Sequence, residues 1–196
     1  MNLNELRDRA YKIACEHGFH DKEYSDKHWL MLVITELSEV VEADRKNYHA
    51  DLDSFFRTVK DWNEAETVLL KSWYSVMLNK QFEENIKDSI EDELADAVIR
   101  CLDFCGLKEF DLSETQEMIE DDEPDPCPDE TDIMTVIMYN ITSLLFNKTR
   151  KEELRVQDVI IQIFGLSEHL HIDLEWHIEQ KMKYNSLRPY KHGKEY

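Results

Sequence analysis

Residues 26–47 read DKHWLMLVITELSEVVEADRKN. Their apolar positions, Trp29, Leu30, Leu32, Val33, Leu37, Val40 and Val41, recur with helical spacing and form one broad side. Ser25 or Asp26 offers an oxygen to cap the free N–H groups at the start. On a helix of about 100° per residue, with Glu36 at zero, Trp29 falls at about +20°, Val40 at about +40° and Glu39 at about −60°. Both acids of the E-x-x-E therefore share the apolar side. A second stretch, EDELADAVIRCLDFCG at 91–106, repeats the pattern. With Glu93 at zero, Phe104 lies at about +20°, Ala97 at about +40° and Asp96 at about −60°.

The rest of the chain also reads as helix. Expected helices cover 3–17, 26–47, one or two within 51–80, then 82–105, 132–148 and 155–184. Gly106 is the expected C-terminal stop of the fourth segment. The segment 51–80 carries Phe55, Phe56, Val59, Trp62, Leu69, Leu70, Trp73 and Met77 as its apolar residues. Gly and Pro together make eight of 196 residues, against an average near 12%. Sandwiches and barrels need both residues in turns, so the fold class is all-α. Between Glu109 and Asp132 lie 12 acids, no Lys or Arg, and Pro124, Pro126 and Pro128. Like charge keeps such a segment solvated, and 120–130 is expected as an exposed loop.

Formal net charge is −20. Phosphate backbones are bound through Lys and Arg, which argues against nucleic acid and anionic membrane as partners. No run approaches the roughly 20 apolar residues that span a bilayer. The first fourteen residues lack a long apolar run, so a cytoplasmic location is expected. Cys101 and Cys105, four apart, are either small core residues or a metal or redox pair; no C-x-x-C is present.

Four acids facing one interior cost several kcal/mol unless they are compensated. A hard divalent cation, Mg2+ first and Mn2+ second, matches an all-oxygen set without His or Cys. The other reading is a set of boundary acids capped by Lys or Arg, with Arg100 four residues beyond Asp96 as one cap. The tail from Lys181 carries a net charge of +4 while residues 1–180 carry −24. It is either a clamp on an anionic ligand or a solvated terminus. Trp29 is either core or a stacking surface for a base.

At these residues the chain resembles the MazG family of all-α nucleoside triphosphate pyrophosphatases. The matching pieces are HGFHDKEYSDKHW (17–29), ITELSEVVEADRK (34–46), EDELADAVIRCLDFCG (91–106) and LHIDLEWHIEQKMKYNSLRPYKHGKEY (170–196). The resemblance implies a single all-α domain, 1–196, that hydrolyses NTP or dNTP to the monophosphate and pyrophosphate. It implies Glu36, Glu39, Glu93 and Asp96 as Mg2+ ligands. It implies Lys183, Asn185 and Arg188 as phosphate contacts, with Lys191 a further tail cation and a homodimer or tetramer as the assembly. Glu39, at the margin of the apolar arc, is the expected general base. Two stretches, 51–80 and 107–168, stand as insertions against short members of that family.

Two other classes bear on the same residues. A di-iron bundle needs two E-x-x-H motifs, and Glu168-x-x-His171 alone fits. A noncatalytic helical adaptor would keep the metal site and use the inserted helices to bind a protein.

Overall fold

The computed structural model of the chain describes residues 1–63, 68–121 and 133–193, and the side chains of these apart from 59–63, 68–75 and 192. Every regular element in them is helical: α1 (Leu3–Glu16), α2 (Asp26–Arg45), α3 (Leu52–Asn63), α4 (Val68–Asn85), α5 (Ile90–Lys108), α6 (Ser113–Glu120), α7 (Met134–Leu144), α8 (Glu152–His169), α9 (Leu174–Leu187) and a short 3-10 turn, Tyr190–Gly193. The fold is all-α, with no strand among the described residues. No described helix is long and apolar enough to cross a membrane.

α5 is the axis of the fold. It packs against α1, α2, α8 and α9. Leu94, Ala95, Ala97, Val98, Cys101, Leu102, Phe104 and Cys105 are completely buried, so the helix is covered nearly all round. The thiols of Cys101 and Cys105 are free and lie in this core. Burial pushes Cys101 well above the usual thiol range and Cys105 up to about 12. A second, smaller apolar cluster joins Phe55, Phe82, Ile86 and Tyr184, with the Phe82 and Tyr184 rings stacked at 4.6 Å. Through it the α3–α4 pair supports α9. The 107–168 stretch supplies α6, α7 and most of α8. Of these, α7 lies on α2 and α8, and α6 on α8 and α1.

Several boundaries differ from the sequence expectation for local reasons. The segment expected at 82–105 is divided: 82–85 ends α4, Asp88 turns the chain at φ 64°, and Ser89 Oγ caps α5 by accepting from the Asp92 N–H at 3.2 Å. Gly106 does not stop α5. It lies inside the helix, where a Cβ would stand 2.5 Å from Tyr11 Cβ, so its role is close packing on α1. The stop comes at Glu109, in the left-handed region at φ 57°. The segment expected at 155–184 is two helices. His171 turns at φ 58°, and Asp173 caps α9 by accepting from the Trp176 N–H at 3.0 Å.

The acidic stretch begins as α6, with Glu120 and Asp121 exposed at its end. The remainder of the expected 120–130 loop lies outside the described residues. So do the side chains of Val59, Trp62, Leu69, Leu70 and Trp73; of the described ones, Phe55 is buried and Phe56 is half exposed.

Candidate metal centre and its cleft

Three helices bring the charges together. α2 contributes Glu36, 6% exposed; the first turns of α5 contribute Asp92, Glu93 and Asp96; α9 contributes Lys181, 4% exposed. One carboxylate oxygen each from Glu36, Glu93 and Asp96 lie within 4.8 Å of one another. A second group of the same kind, Asp88, Asp92 and Glu93, shares Glu93 with the first. The N-terminal dipole of α5 favours acids in this turn and offsets part of the cost of burying them.

Two internal cations meet part of the charge. Arg100 Nε donates to Glu36 Oε1 at 2.9 Å. Lys181 Nζ donates to Asp92 Oδ2 at 2.6 Å and lies 2.8 Å from Asp96 Oδ2. The cap expected on Asp96 is thus supplied by Lys181, and Arg100 bonds Glu36. Among the described residues, Glu93 Oε2 and Asp92 Oδ1 remain buried without a hydrogen-bond partner. A buried oxygen without a donor costs free energy or holds a proton.

The acids respond accordingly. Burial first, then the charges of Asp96 and Asp92, push Glu93 up to about 9. Burial raises Asp92 to about 6 against the pull of Lys181. Burial and Asp96 raise Glu36, with Arg100 opposing. For Asp96, burial acts upward, but Lys181 and Arg100 outweigh it and hold the carboxyl below its usual value. Lys181 is raised above its ordinary value, since Asp96 and Asp92 outweigh its burial.

These groups line a cleft of about 260 Å³. Glu39 is exposed on its wall, outside the three-carboxylate group. Asn185 and Arg188 also line it, Asn185 being 8% exposed with its Oδ1 unpartnered and Arg188 half-buried. Lys183, Lys191 and Trp29 do not line it. Lys183 is exposed, because it stands about 200° round the helix from Asn185. Trp29 is 4% exposed and packs in the core, its ring stacked on His20 at 4.5 Å. Lys191 belongs to a strap. Its backbone N–H donates to the His17 carbonyl at 2.9 Å, His17 Nε2 lies 3.0 Å from the Arg188 carbonyl, and the Tyr190 hydroxyl bonds Asp21. Gly18, at φ 78°, lies beneath the Tyr190 ring, where a Cβ would come within 2.1 Å. The strap fixes the backbone of Arg188 beside the cleft.

Sequence reasoning passed over Lys181 and Asp92. The signal for Lys181 was its spacing: 181, 185 and 188 fall on one helical face. No family model, no curated protein and no solved structure matches the chain.

Proposed function

We propose that the chain is a Mg2+-dependent nucleoside triphosphate pyrophosphohydrolase of the MazG-like kind, cleaving NTP or dNTP to the monophosphate and pyrophosphate. One observation carries the reading: Glu36, Glu93 and Asp96 converge within 4.8 Å while the buried Glu93 Oε2 has no donor. A set of hard oxygen donors with an unmet charge fits Mg2+, with Glu36, Glu93 and Asp96 holding it and Glu39 within the same cleft. Bound there, Mg2+ would neutralise triphosphate charge and acidify a water. The same reading makes the protein a cytoplasmic homo-oligomer, in keeping with its buried free thiols.

The chain's own residues divide the work. Glu39 accepts the proton of the attacking water as the water oxygen bonds to the α-phosphorus. The bond from that phosphorus to the bridging oxygen breaks, and pyrophosphate leaves with the electron pair. Lys181 and Arg188 offset the charge that develops on it. Asn185 offers amide donors to the phosphate oxygens.

Glu36→Gln and Asp96→Asn should each abolish Mg2+-dependent pyrophosphate release and leave a helical protein by circular dichroism. Near wild-type turnover in either variant at saturating Mg2+ refutes the assignment, and release of orthophosphate alone refutes the reaction type. The adaptor reading has one observation in its favour: Arg100 and Lys181 already pair with Glu36, Asp92 and Asp96. The same assay decides between the two.

A further inference from the structure

The cleft continues beyond the carboxylates. Its other wall is apolar, formed by Ala10, Ile13 and Ala14 of α1 and by Phe19 of the loop after it. These lie along the later half of α5: the Phe19 ring is 5.8 Å from the Arg100 guanidinium, and α1 packs on α5 at Gly106. The small side chains at 10 and 14 present only methyl groups to this wall.

One acid of α5 lines this part of the cleft. Asp103 is seven residues beyond Asp96, on the same face and about 10.5 Å further along the helix. That is the length of a ribose and a base measured from an α-phosphate at the metal group. Asp103 is 3% exposed, and His20 Nε2 donates to its Oδ1 at 2.7 Å. His20 is itself fixed between Trp29 and Tyr11, with ring centroids at 4.5 and 4.8 Å. No second hydrogen bond reaches the carboxylate among the described residues.

We infer that Asp103, oriented by His20, reads the base of the nucleotide and selects guanine; this rests on the pyrophosphohydrolase reading. A carboxylate only accepts hydrogen bonds. Guanine presents two adjacent donors, N1–H and the 2-amino group, which a carboxylate meets together. Cytosine and adenine offer one amino group beside a ring nitrogen whose lone pair faces the acid. Uracil and thymine offer one N–H between two carbonyl oxygens, the worst match. Asp103 is a binding residue in this scheme and His20 a positioning residue.

The experiment measures kcat/KM for pyrophosphate release from GTP, ATP, CTP and UTP with Mg2+. It is paired with calorimetric binding of α,β-methylene-GTP and α,β-methylene-UTP. GTP should lead UTP by roughly 10- to 100-fold, the discrimination typical of a good bidentate pair. Asp103→Asn, whose amide matches the N–H and carbonyl of uracil, should invert the order, and His20→Gln should narrow it through KM with kcat kept. Equal values for all bases, a uracil preference in the wild type, or an unchanged order in folded Asp103→Asn would overturn the inference. If Asp103→Asn does not fold, the wild-type series decides alone. If no triphosphate is cleaved, the hydrolase reading falls. The binding pair then decides the base site: preference for the guanine analogue upholds it, and indifference or no binding overturns it.

Discussion

Glu93→Gln should stabilise the metal-free protein near neutral pH and forfeit most of the stabilisation that Mg2+ gives. Glu93 is 3% exposed, its Oε2 has no donor, and it is pushed from 4.5 up to about 9 by burial, Asp96 and Asp92. An acid raised on folding contributes fully below its unfolded value, and that contribution is lost as pH rises toward the folded value. Between pH 4.5 and 7 the loss is about 3 kcal/mol, at 1.36 kcal/mol per pH unit. For a chain of this size, about 2–4 °C per kcal/mol makes that roughly 6–12 °C in Tm. Asp92 and Glu36 are raised too and act in the same direction, whereas Asp96 is lowered and loses its contribution only on acidification.

Glutamine keeps the size and carries no charge at any of these pH values. Thermal melts in EDTA from about pH 5 to pH 8 should therefore fall less steeply for the variant, and the two curves should separate as pH rises. Mg2+ at about 1,000 times its Kd should reverse the ranking, because it then adds about 4.1 kcal/mol to the protein that binds it, more than the ~3 kcal/mol lost at pH 7. A gap that stays constant with pH in EDTA refutes the burial argument. Equal gains from Mg2+ in both proteins refute Glu93 as a ligand.

Arg188→Ala should raise KM for the triphosphate by roughly 10- to 150-fold, the equivalent of one charge-assisted contact of about 1.5–3 kcal/mol, with Mg2+ binding unchanged. Arg188→Lys should recover little, and steady-state kinetics showing wild-type KM in Arg188→Ala would remove the residue from the site. Gly18→Ala puts a Cβ into the Tyr190 ring at a positive φ and should raise KM through the displaced strap; Tyr190→Ala should have the same effect, and no change in either would show that the strap does not position Arg188. Gly106→Ala should cost about 1–3 kcal/mol in a denaturant melt by crowding Tyr11, while kcat of the folded enzyme is kept.

The helices were legible in the sequence because their apolar periodicity is long, and the same periodicity placed Glu36 and Glu93 on buried faces; Glu39, expected on the apolar side with Glu36, is exposed because it lies at the margin of that arc. The breaks were harder to see because no Gly or Pro marks them. α5 begins at a serine cap and ends on a left-handed glutamate, and α9 begins at an aspartate cap inside an apparently continuous helical stretch. The one glycine that looked like a stop is a packing contact with α1, a property of two helices that neither shows alone. In the cleft, the carboxylates were found because two motifs sit on apolar faces. Lys181 was not legible as part of the site because its pairing with Asp92 and Asp96 spans the fold and its own sequence neighbours are the tail's cations. Asp103 shares a face with Asp96 at i+7, but its pairing with His20 spans 83 residues. Only the fold brings those two together.

The charges that line the cleft do not balance. Among the described residues its lining holds six carboxylates, Glu36, Glu39, Asp88, Glu93, Asp96 and Asp103, against four cations, Lys87, Arg100, Lys181 and Arg188. With all of them ionised the formal excess is two negative charges, the charge one divalent cation offsets. The cations are not placed to cancel evenly. Arg100 and Lys181 bond Glu36, Asp92 and Asp96, while Glu93, between them, receives no donor on Oε2. A purely structural network would gain by giving that oxygen a partner or by replacing the acid with an apolar residue, since a half-satisfied buried network is the costlier arrangement. Keeping Arg100 and Lys181 bonded holds the surrounding carboxylates in position without a metal. The unmet oxygen of Glu93 then concentrates the deficit at the one point where the two carboxylate groups meet.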